Sequence, residues 1–546
     1  MTLLACNQEP APLDPNRVDV YNHAYDNLKI SEIEGKYSTH TYKDYSRYSM
    51  YTYLGYPSSY TPSVGNAKIL VVPVWFNDST EYIALDHREN VRDDIRKAYF
   101  GTEEETGWES VKTYYYKDSF GRLNIDGFVT DWYETNKNSS DYYSNYNSTQ
   151  YLLYDVCNWA KENIEDYSSY DCDKDGFLDG LVLIYACYDQ YGLYYVKNKN
   201  NVDNMWAYTS RLLDQNQRSL INPGVNDFFW ASYDFLYGTK TEAQRAYVKE
   251  RTGSGVYGTG DLTDCTVDSH TFIHETGHLF GLNDYYDYSG VASPALGFSM
   301  QDYNVGAHDP FSRFALGWAK AIIPTETCRI RVKPIEESGE FILLSPEFSG
   351  SAFGEYIALE LFTPDGLNEH DCTYTYDGRP HPNIKYGVRM WHVDSRLYRV
   401  DRVNSWTGVP TKGHMADNME EGSIIDATAN STYLVGSNNR AVNYAGSYDY
   451  KQLQVIRNGY EMYDEEGNLI EETTRRGYYI TDDDFFQTGD YFTVHNYRSQ
   501  FVEDEALNNG NELGWAIYFD EVSEEGMTVT CIKEFLKPQN KTTDAK

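Results

Sequence analysis

Two histidines and one glutamate in the segment 270–284 have the residue types and the spacing of a metal site. If the segment is helical, His274 and His278 lie four residues apart and project from the same face of the helix. Imidazole nitrogens placed in this way can both reach one zinc ion at about 2.0–2.1 Å. Glu275 would lie beside the metal without binding it, where it can take a proton from an attacking water. The spacing therefore predicts a zinc site at which Glu275 is the general base.

A third zinc ligand is expected shortly after the predicted helix. Gly281 can adopt the left-handed backbone conformation that ends a helix, so the chain can turn back and bring Asp284 to the same ion. Asp287, three residues further along, is also acidic and is the alternative third ligand. Three protein ligands leave the fourth position of a tetrahedral zinc ion to water, as a catalytic site requires. The other interpretation, a solvated helix with two surface histidines, conflicts with the apolar residues that flank the motif.

Other residues near the motif give weaker signals. Met300 lies in a segment that can form a methionine-containing turn beneath the metal, as in metzincin proteases. Tyr303 is a candidate for stabilising the oxyanion of a tetrahedral intermediate. Neither signal is specific, because a methionine in an apolar loop commonly belongs to the core and the chain contains 53 tyrosines. His270 and His308 are expected to be structural or solvent-facing, and His392 is expected to be a hydrogen-bonded strand histidine.

A second cluster of carboxylates predicts a calcium site. Its members lie at alternate positions and then after a glycine: Asp171, Asp173, Asp175 and Asp179. This arrangement wraps oxygen ligands around calcium, as in the first part of an EF-hand. The twelfth position is Val182 rather than glutamate, and a strand is expected to follow, so the segment is not an EF-hand. We predict an isolated calcium loop, because four close carboxylates without a cation would repel one another.

Composition excludes several classes of function. Lys and Arg number 46 against 83 Asp and Glu, which gives a net charge of −37 at pH 7. Such an acidic chain repels phosphate backbones, so we predict no nucleic-acid binding. It contains no run of about 18 apolar residues, so we predict no membrane-spanning segment. The aromatic content of 16% favours β-rich, extracellular architecture.

Residues 1–65 are predicted to be a lipoprotein-type N-terminus that continues as a tether or prosegment. The sequence Leu-Leu-Ala-Cys that ends at Cys6 resembles the bacterial lipobox, in which the cysteine receives lipid, and polar residues follow it. The alternative is an accidental match of four common residues. A lipid on Cys6 would be the protein's only contact with a membrane, and it would leave seven other cysteines and therefore at least one unpaired thiol.

The rest of the chain is predicted to form two domains in an α+β fold. Between 66 and 320, strands alternate with helices, and the apolar runs 67–76 and 180–186 are typical of buried strands. Helices are expected near 90–99, 108–118, 149–164 and 270–280. Short strand-like runs separated by turn signals fill 321–546 and predict a β-rich, sandwich-like C-terminal domain.

Segments outside the zinc motif add a family resemblance. They are 68–76, 110–127, 171–186, 310–318, 356–360 and 387–394. Together with the motif they resemble the M6 metalloproteases, the immune-inhibitor-A-like group, over about 65–395. The resemblance implies a zincin-like, metzincin-type fold, a secreted or cell-surface location, peptide-bond hydrolysis and structural calcium. It assigns zinc binding to His274, His278 and Asp284 and the general base to Glu275.

The sequence thus predicts a secreted or surface-anchored zinc endopeptidase that acts on proteins or peptides and is monomeric. The alternative is a surface adhesion protein that binds a glycan or protein on a catalytically silent zincin scaffold. The intact motif weighs against it, because a silent relative would be free to lose Glu275. A third interpretation is a latent zymogen with residues 7–65 in the cleft. The acidic stretch 417–421 is expected to be a solvated loop.

Overall fold

The structure is a computed structural model that describes residues 37–41, 61–144, 146–212, 214–258, 266–288, 290, 293–374, 379, 386–403, 410–415, 432–439, 450–459, 462–463, 469–471 and 479–533. Cys6 and the stretch 417–421 lie outside the described residues. No helix in the described part of the chain is both long enough and apolar enough to cross a membrane.

Helices and strands alternate in the first half of the chain, and strands predominate in the second. The strands are β1 (Tyr37–Thr41), β2 (Gly65–Trp75), β3 (Leu123–Val129), β4 (Tyr133–Glu134), β5 (Gly180–Tyr185), β6 (Tyr208–Arg211), β7 (Asp227–Ser232), β8 (Lys320–Pro324), β9 (Cys328–Val332), β10 (Glu340–Leu344), β11 (Glu355–Phe362), β12 (Gly387–Asp394), β13 (Leu397–Val403), β14 (Pro410–Met415), β15 (Thr432–Leu434), β16 (Leu453–Ile456), β17 (Met462–Tyr463), β18 (Leu469–Glu471), β19 (Tyr491–Phe492), β20 (Trp515–Ser523) and β21 (Gly526–Lys533). The α-helices are α1 (Arg88–Phe100), α2 (Glu103–Thr106), α3 (Val111–Asp118), α4 (Tyr146–Asn163), α5 (Gln190–Tyr195), α6 (Glu242–Thr252), α7 (His270–Leu279), α8 (Met300–Tyr303), α9 (Pro310–Ala315), α10 (Ile335–Ser338) and α11 (Glu369–Thr373). The predicted α+β class is confirmed.

Most predicted elements lie within a few residues of their predicted bounds. The apolar runs 67–76 and 180–186 form strands β2 and β5, and the helix predicted near 149–164 is α4. The helix predicted from residue 108 begins only at Val111, because the Ser110 side chain accepts a hydrogen bond from the Thr113 amide and caps the helix there. The patterns used above do not predict β7 or α6, although β7 has an apolar run and α6 begins with a capping box.

The first sheet has the strand order β3-β2-β5-β7-β6, and β4 extends it beside β2. The first four strands run parallel, and β6 is antiparallel to β7 at the edge. Every residue of β5 and β7 is buried, which explains their unbroken apolar runs. The edge strand β6 and the helix α7 lie next to each other, so the sheet fixes the position of the predicted zinc motif.

Two further sheets contain most of the described strands in the second half of the chain. Their orders are β1-β8-β10-β11-β12-β16 and β19-β20-β21-β9. One apolar cluster joins them and includes Ile342 and Met390 from the first of the two and Ile517 from the second. Phe341 and Trp391, from alternate positions of the same strands, instead belong to the core of the parallel sheet. The sheet β1-β8-β10-β11-β12-β16, called the six-stranded sheet below, therefore separates two apolar cores.

A short part of the predicted N-terminal tether takes part in the fold. Strand β1 pairs antiparallel with β8, with Tyr37 opposite Pro324 and Thr41 opposite Lys320. This backbone pairing places residues 37–41 at the edge of the six-stranded sheet. The remainder of residues 1–60 lies outside the described part of the chain.

A buried charge cluster connects the two halves. Arg313 donates from Nε and Nη2 to Asp118 Oδ1, at 2.9 and 2.8 Å, and His308 Nδ1 lies 2.7 Å from Asp118 Oδ2. Arg313 also forms an ion pair with Glu336 of α10, at 2.7 Å. Burial acts to raise the pKa of Asp118, but Arg313 and His308 outweigh it and lower the pKa to about 2.

We predict that Asp118 makes the protein sensitive to acid. Its pKa is lower in the folded chain than the usual unfolded value of about 3.9, so its contribution is complete above pH 4–5 and disappears as the pH falls to about 2. This contribution is about 2 kcal/mol, and Asp118→Asn should remove that part of the pH dependence. Urea unfolding between pH 6 and 2 measures it. The exposed Glu165→Gln variant should keep the wild-type dependence, and equal curves for Asp118→Asn and wild type would contradict the prediction.

Candidate metal centre

Helix α7 carries the predicted zinc motif and is held on several sides. The Tyr115 hydroxyl of α3 donates to the Ile273 carbonyl at 2.7 Å, and the Thr209 hydroxyl of β6 donates to the Glu275 carbonyl at 2.8 Å. The Phe272 ring packs against aromatic rings of the core. Each residue from Phe272 to the end of the helix is buried. These contacts fix the rotation of the helix about its axis and thus the direction in which its histidines point.

His274, His278 and Asp284 meet in one place. Asp284 Oδ1 lies 3.0 Å from His274 Nε2 and 3.1 Å from His278 Nε2. One ligand atom from each of the three lies within 4.8 Å of the others. Two ligands bound to one tetrahedral zinc ion are about 3.4 Å apart, from bond lengths of about 2.1 Å. The two distances from Asp284 Oδ1 are therefore close to the separation that zinc needs.

Backbone carbonyls determine which imidazole nitrogens face Asp284. His274 Nδ1 lies 2.7 Å from the Met300 carbonyl, and His278 Nδ1 lies 2.7 Å from the Leu282 carbonyl. A carbonyl can only accept, so each Nδ1 donates and each neutral ring has its lone pair on Nε2. Two lone pairs and a carboxylate that face one another are stabilised by a cation between them. The donor set therefore fits zinc.

The electrostatics at His278 and Asp284 point the same way. Burial by itself lowers the pKa of His278, but the Asp284 carboxylate outweighs burial and raises that pKa to about 9. Burial acts to raise the pKa of Asp284, and the two histidines outweigh it and hold that pKa well below its usual range. Both pKa shifts thus indicate that a positive charge beside the Asp284 carboxylate is favoured.

Gly281 allows the chain to return to the helix. It adopts a φ of +92°, in the left-handed region, as predicted. The Leu282 amide then donates to the Gly277 carbonyl at 3.2 Å, and the following residues run back toward α7. Asp284 belongs to the group of ligand atoms found among the described residues, and Asp287 does not.

Glu275 lines a cleft of about 700 Å³. Its Oε2 accepts a hydrogen bond from the Thr209 hydroxyl at 3.2 Å, and burial raises its pKa while the neighbouring histidines oppose the rise. His274 and Tyr303 also line the cleft. An aromatic wall formed by Trp206, Phe235 and Tyr257 faces the same space.

The remaining predicted residues have identifiable partners. Met300 is fully buried, and its contact with the site is the carbonyl that binds His274. His308 is buried in the charge cluster with Asp118, and His392 lies 2.9 Å from Glu355 Oε1. His270 is buried as well, so it is not solvent-facing.

Sequence patterns did not identify Thr209 or Tyr286 as residues of the site. Thr209 touches Glu275, and the Tyr286 ring lies 6.4 Å from the His274 ring, between centroids, on the cleft. Neither belongs to a motif. The only sequence signal for Tyr286 is its place two residues after Asp284.

The structure brings together three of the four carboxylates predicted to bind calcium. Ligand atoms of Asp171, Asp173 and Asp179 lie within 4.8 Å of one another, and Asp175 is not in this group. Its Oδ1 instead accepts a hydrogen bond from the Phe177 amide at 2.9 Å. Burial and the neighbouring Asp173 raise the pKa of Asp175 to about 8. Strand β5 follows the loop, as expected.

Asp179 connects this loop to the parallel sheet. Its two carboxylate oxygens accept from the Cys172 amide at 2.9 Å and from the Lys68 amide of β2 at 2.7 Å. Burial raises the pKa of Asp179 to about 7. The loop carboxylates are therefore held in place by backbone amides of the loop and of the strand.

Comparison with known proteins identifies the domain that contains the candidate metal centre. No curated protein matches the chain. The family model described as immune inhibitor A peptidase M6, catalytic domain, matches residues 58–302. The matched stretch contains the parallel sheet, helix α7 and all three candidate zinc ligands. Residues 58–302 therefore belong to the M6 peptidase family, whose members are metallopeptidases.

Proposed function

We propose that the protein is a zinc-dependent endopeptidase. The main support is that three zinc-type donors meet in one place, and that one of them lines a cleft together with a carboxylate outside the donor group. His274 contributes to both the donor group and the cleft lining, and Glu275 lies beside it. A cleft of about 700 Å³ has room for several residues of an extended peptide.

In this mechanism His274, His278 and Asp284 would hold the zinc ion. When bound, zinc supplies Lewis-acid chemistry, which acidifies water and polarises a carbonyl. Glu275, oriented by Thr209, takes a proton from the water that attacks the scissile carbonyl carbon. It then gives this proton to the amine nitrogen as the carbon–nitrogen bond breaks. Tyr303 remains our candidate for stabilising the oxyanion, and Tyr286 is a second candidate on the same cleft.

Strand β6 is our candidate for aligning the substrate. It is the last strand in the order of the parallel sheet and runs antiparallel to β7. An extended peptide can pair with such an edge through backbone hydrogen bonds. Thr209, in the middle of β6, contacts Glu275, so a peptide paired along this strand would pass beside the base.

We extend the proposal to calcium, export and the type of fold. The cluster of Asp171, Asp173 and Asp179 supports a calcium site, because hard carboxylate oxygens are preferred ligands of that ion. The Met300 carbonyl beneath His274 supports a metzincin-type floor. The apolar cluster shared by the two C-terminal sheets supports a sandwich-like domain. Secretion, a lipid on Cys6 and a monomeric state remain predictions from the sequence, and the silent adhesion scaffold remains the alternative.

Replacement of Glu275 should separate catalysis from metal binding. We expect Glu275→Gln to lower peptidase activity by about 10²–10⁴-fold, the usual contribution of a general base, without loss of zinc from the donor group. Casein cleavage and metal analysis of the same preparations measure the two effects. Removal of zinc by a chelator should abolish wild-type activity, and added zinc should restore it. Full activity in Glu275→Gln would refute the assigned base, and a wild-type protein that binds zinc but cleaves no peptide in a library would favour the adhesion scaffold.

Thr209 should act by orienting Glu275. Thr209→Val removes a hydrogen bond to a carboxylate, an interaction of about 1.5–3 kcal/mol, so kcat should fall about tenfold or more. KM should change little, because the hydroxyl faces the base. Steady-state kinetics with a peptide substrate provides both constants. Thr209→Ser keeps the hydroxyl and should retain most of the activity, whereas equal losses in both variants would contradict the orienting role.

Calcium should stabilise the wild-type protein through Asp173. At calcium concentrations near 100 times Kd, a ligand that binds only the folded chain adds about 2.7 kcal/mol to the free energy of unfolding. Thermal unfolding with and without calcium detects this as a rise in Tm, which Asp173→Asn should greatly reduce. Glu165→Gln serves as the matched control and should respond like wild type. If wild type and Asp173→Asn respond equally, calcium does not bind in this loop.

A further inference from the structure

We propose a second zinc site, formed by His270, His370 and Asp371, that is separate from the candidate catalytic centre. His270 is the first residue of α7, and the other two lie next to each other in α11. All three are buried, and one ligand atom from each lies within 4.8 Å of the others. The site joins two elements that are about 100 residues apart in the chain.

The donor geometry repeats that of the first site. Asp371 Oδ1 lies 3.2 Å from His270 Nε2 and 3.2 Å from His370 Nδ1. In the first site a carboxylate oxygen lies 3.0 and 3.1 Å from two imidazole nitrogens. Both sets are close to the separation of about 3.4 Å between two ligands of one tetrahedral zinc ion. Each site thus offers two imidazoles and one carboxylate.

Surrounding groups orient these ligands as outer-shell partners do in zinc proteins. His270 Nδ1 lies 2.8 Å from Asp268 Oδ1, which makes a carboxylate–histidine pair with Nε2 directed at the site. Asp371 Oδ2 accepts from the Gly306 amide at 2.6 Å, so its other oxygen faces the histidines. The indole ring of Trp108 stacks on the imidazole of His270, with centroids 3.9 Å apart, and lies 5.4 Å from the imidazole of His370. The indole provides an apolar cover over both rings.

Charge balance also favours a divalent cation here. Asp268 and Asp371 bring two carboxylates into a buried region, and the two histidines are neutral when they bind metal. A zinc ion would compensate both negative charges. The zinc content of the protein can be measured directly.

The site would hold the start of the catalytic helix. His270 precedes His274 by one helical turn. Asp371 also accepts a hydrogen bond from the Gly306 amide, which lies in the loop that follows α8. Met300, whose carbonyl orients His274, is the first residue of α8 itself. A metal at the second site would thus fix two elements that position the first zinc ligand, at a distance from the reacting atoms.

Zinc stoichiometry of the full-length protein tests the proposal. After equilibration with zinc in calcium-containing buffer and removal of the excess, we expect wild type to hold two zinc ions. His278→Ala and His370→Ala should each hold one, and the double variant none. His392→Gln, which alters a buried histidine outside both sites, should still hold two. In the His278→Ala background, added zinc should raise Tm, and this rise should be absent in the double variant.

The outcomes separate this site from the proposed catalytic centre. One zinc in wild type that is lost in His278→Ala and kept in His370→Ala overturns the second site and leaves the proposed function intact. One zinc in wild type that is kept in His278→Ala and lost in His370→Ala supports the second site and contradicts the catalytic centre. If His370→Ala does not fold, Asp268→Asn decides, since loss of an outer-shell carboxylate should weaken zinc binding in the His278→Ala background by about 10–100-fold. Unchanged affinity in that variant overturns the proposal.

Discussion

The rest of this structure depends on the close approach of one buried carboxylate oxygen to the Nε2 atoms of two imidazoles. Asp284 Oδ1 lies about equally far from Nε2 of His274 and of His278, in a region almost closed to solvent. Burial of that negative charge is costly unless a positive charge accompanies it. The arrangement therefore favours a cation, and the neighbouring Glu275 is not one of the donors.

The surrounding fold serves to hold this group in one orientation. Carbonyls of Met300 and Leu282 fix the imidazole tautomers, and hydroxyls of Tyr115 and Thr209 fix the helix that carries them. These supports come from a helix, an edge strand, a short helix and a loop. A site assembled from so many elements requires a rigid core, which the buried parallel strands provide.

Carboxylates recur at the places where elements of this acidic chain are joined. Asp118 binds Arg313 between the two halves, Asp179 holds the loop after residue 170 to β2, and Asp371 holds α7 to α11. In each case the buried charge has a defined partner: a guanidinium, backbone amides or imidazoles. The net charge of −37 is thus more than a surface property, because some of the acidic residues connect elements inside the fold.

Local geometry, and with it the core of the site, follows from the sequence alone. The four-residue spacing of His274 and His278 places both on one helix face, and the glycine at 281 ends that helix, because both effects depend only on neighbouring residues. Tertiary packing places Asp284 rather than Asp287 with the histidines, and it brings Thr209 and Asp371 to α7 from 66 and 101 residues away. Contacts over such separations depend on how sheets and helices pack, and that packing leaves no periodic pattern in a single sequence.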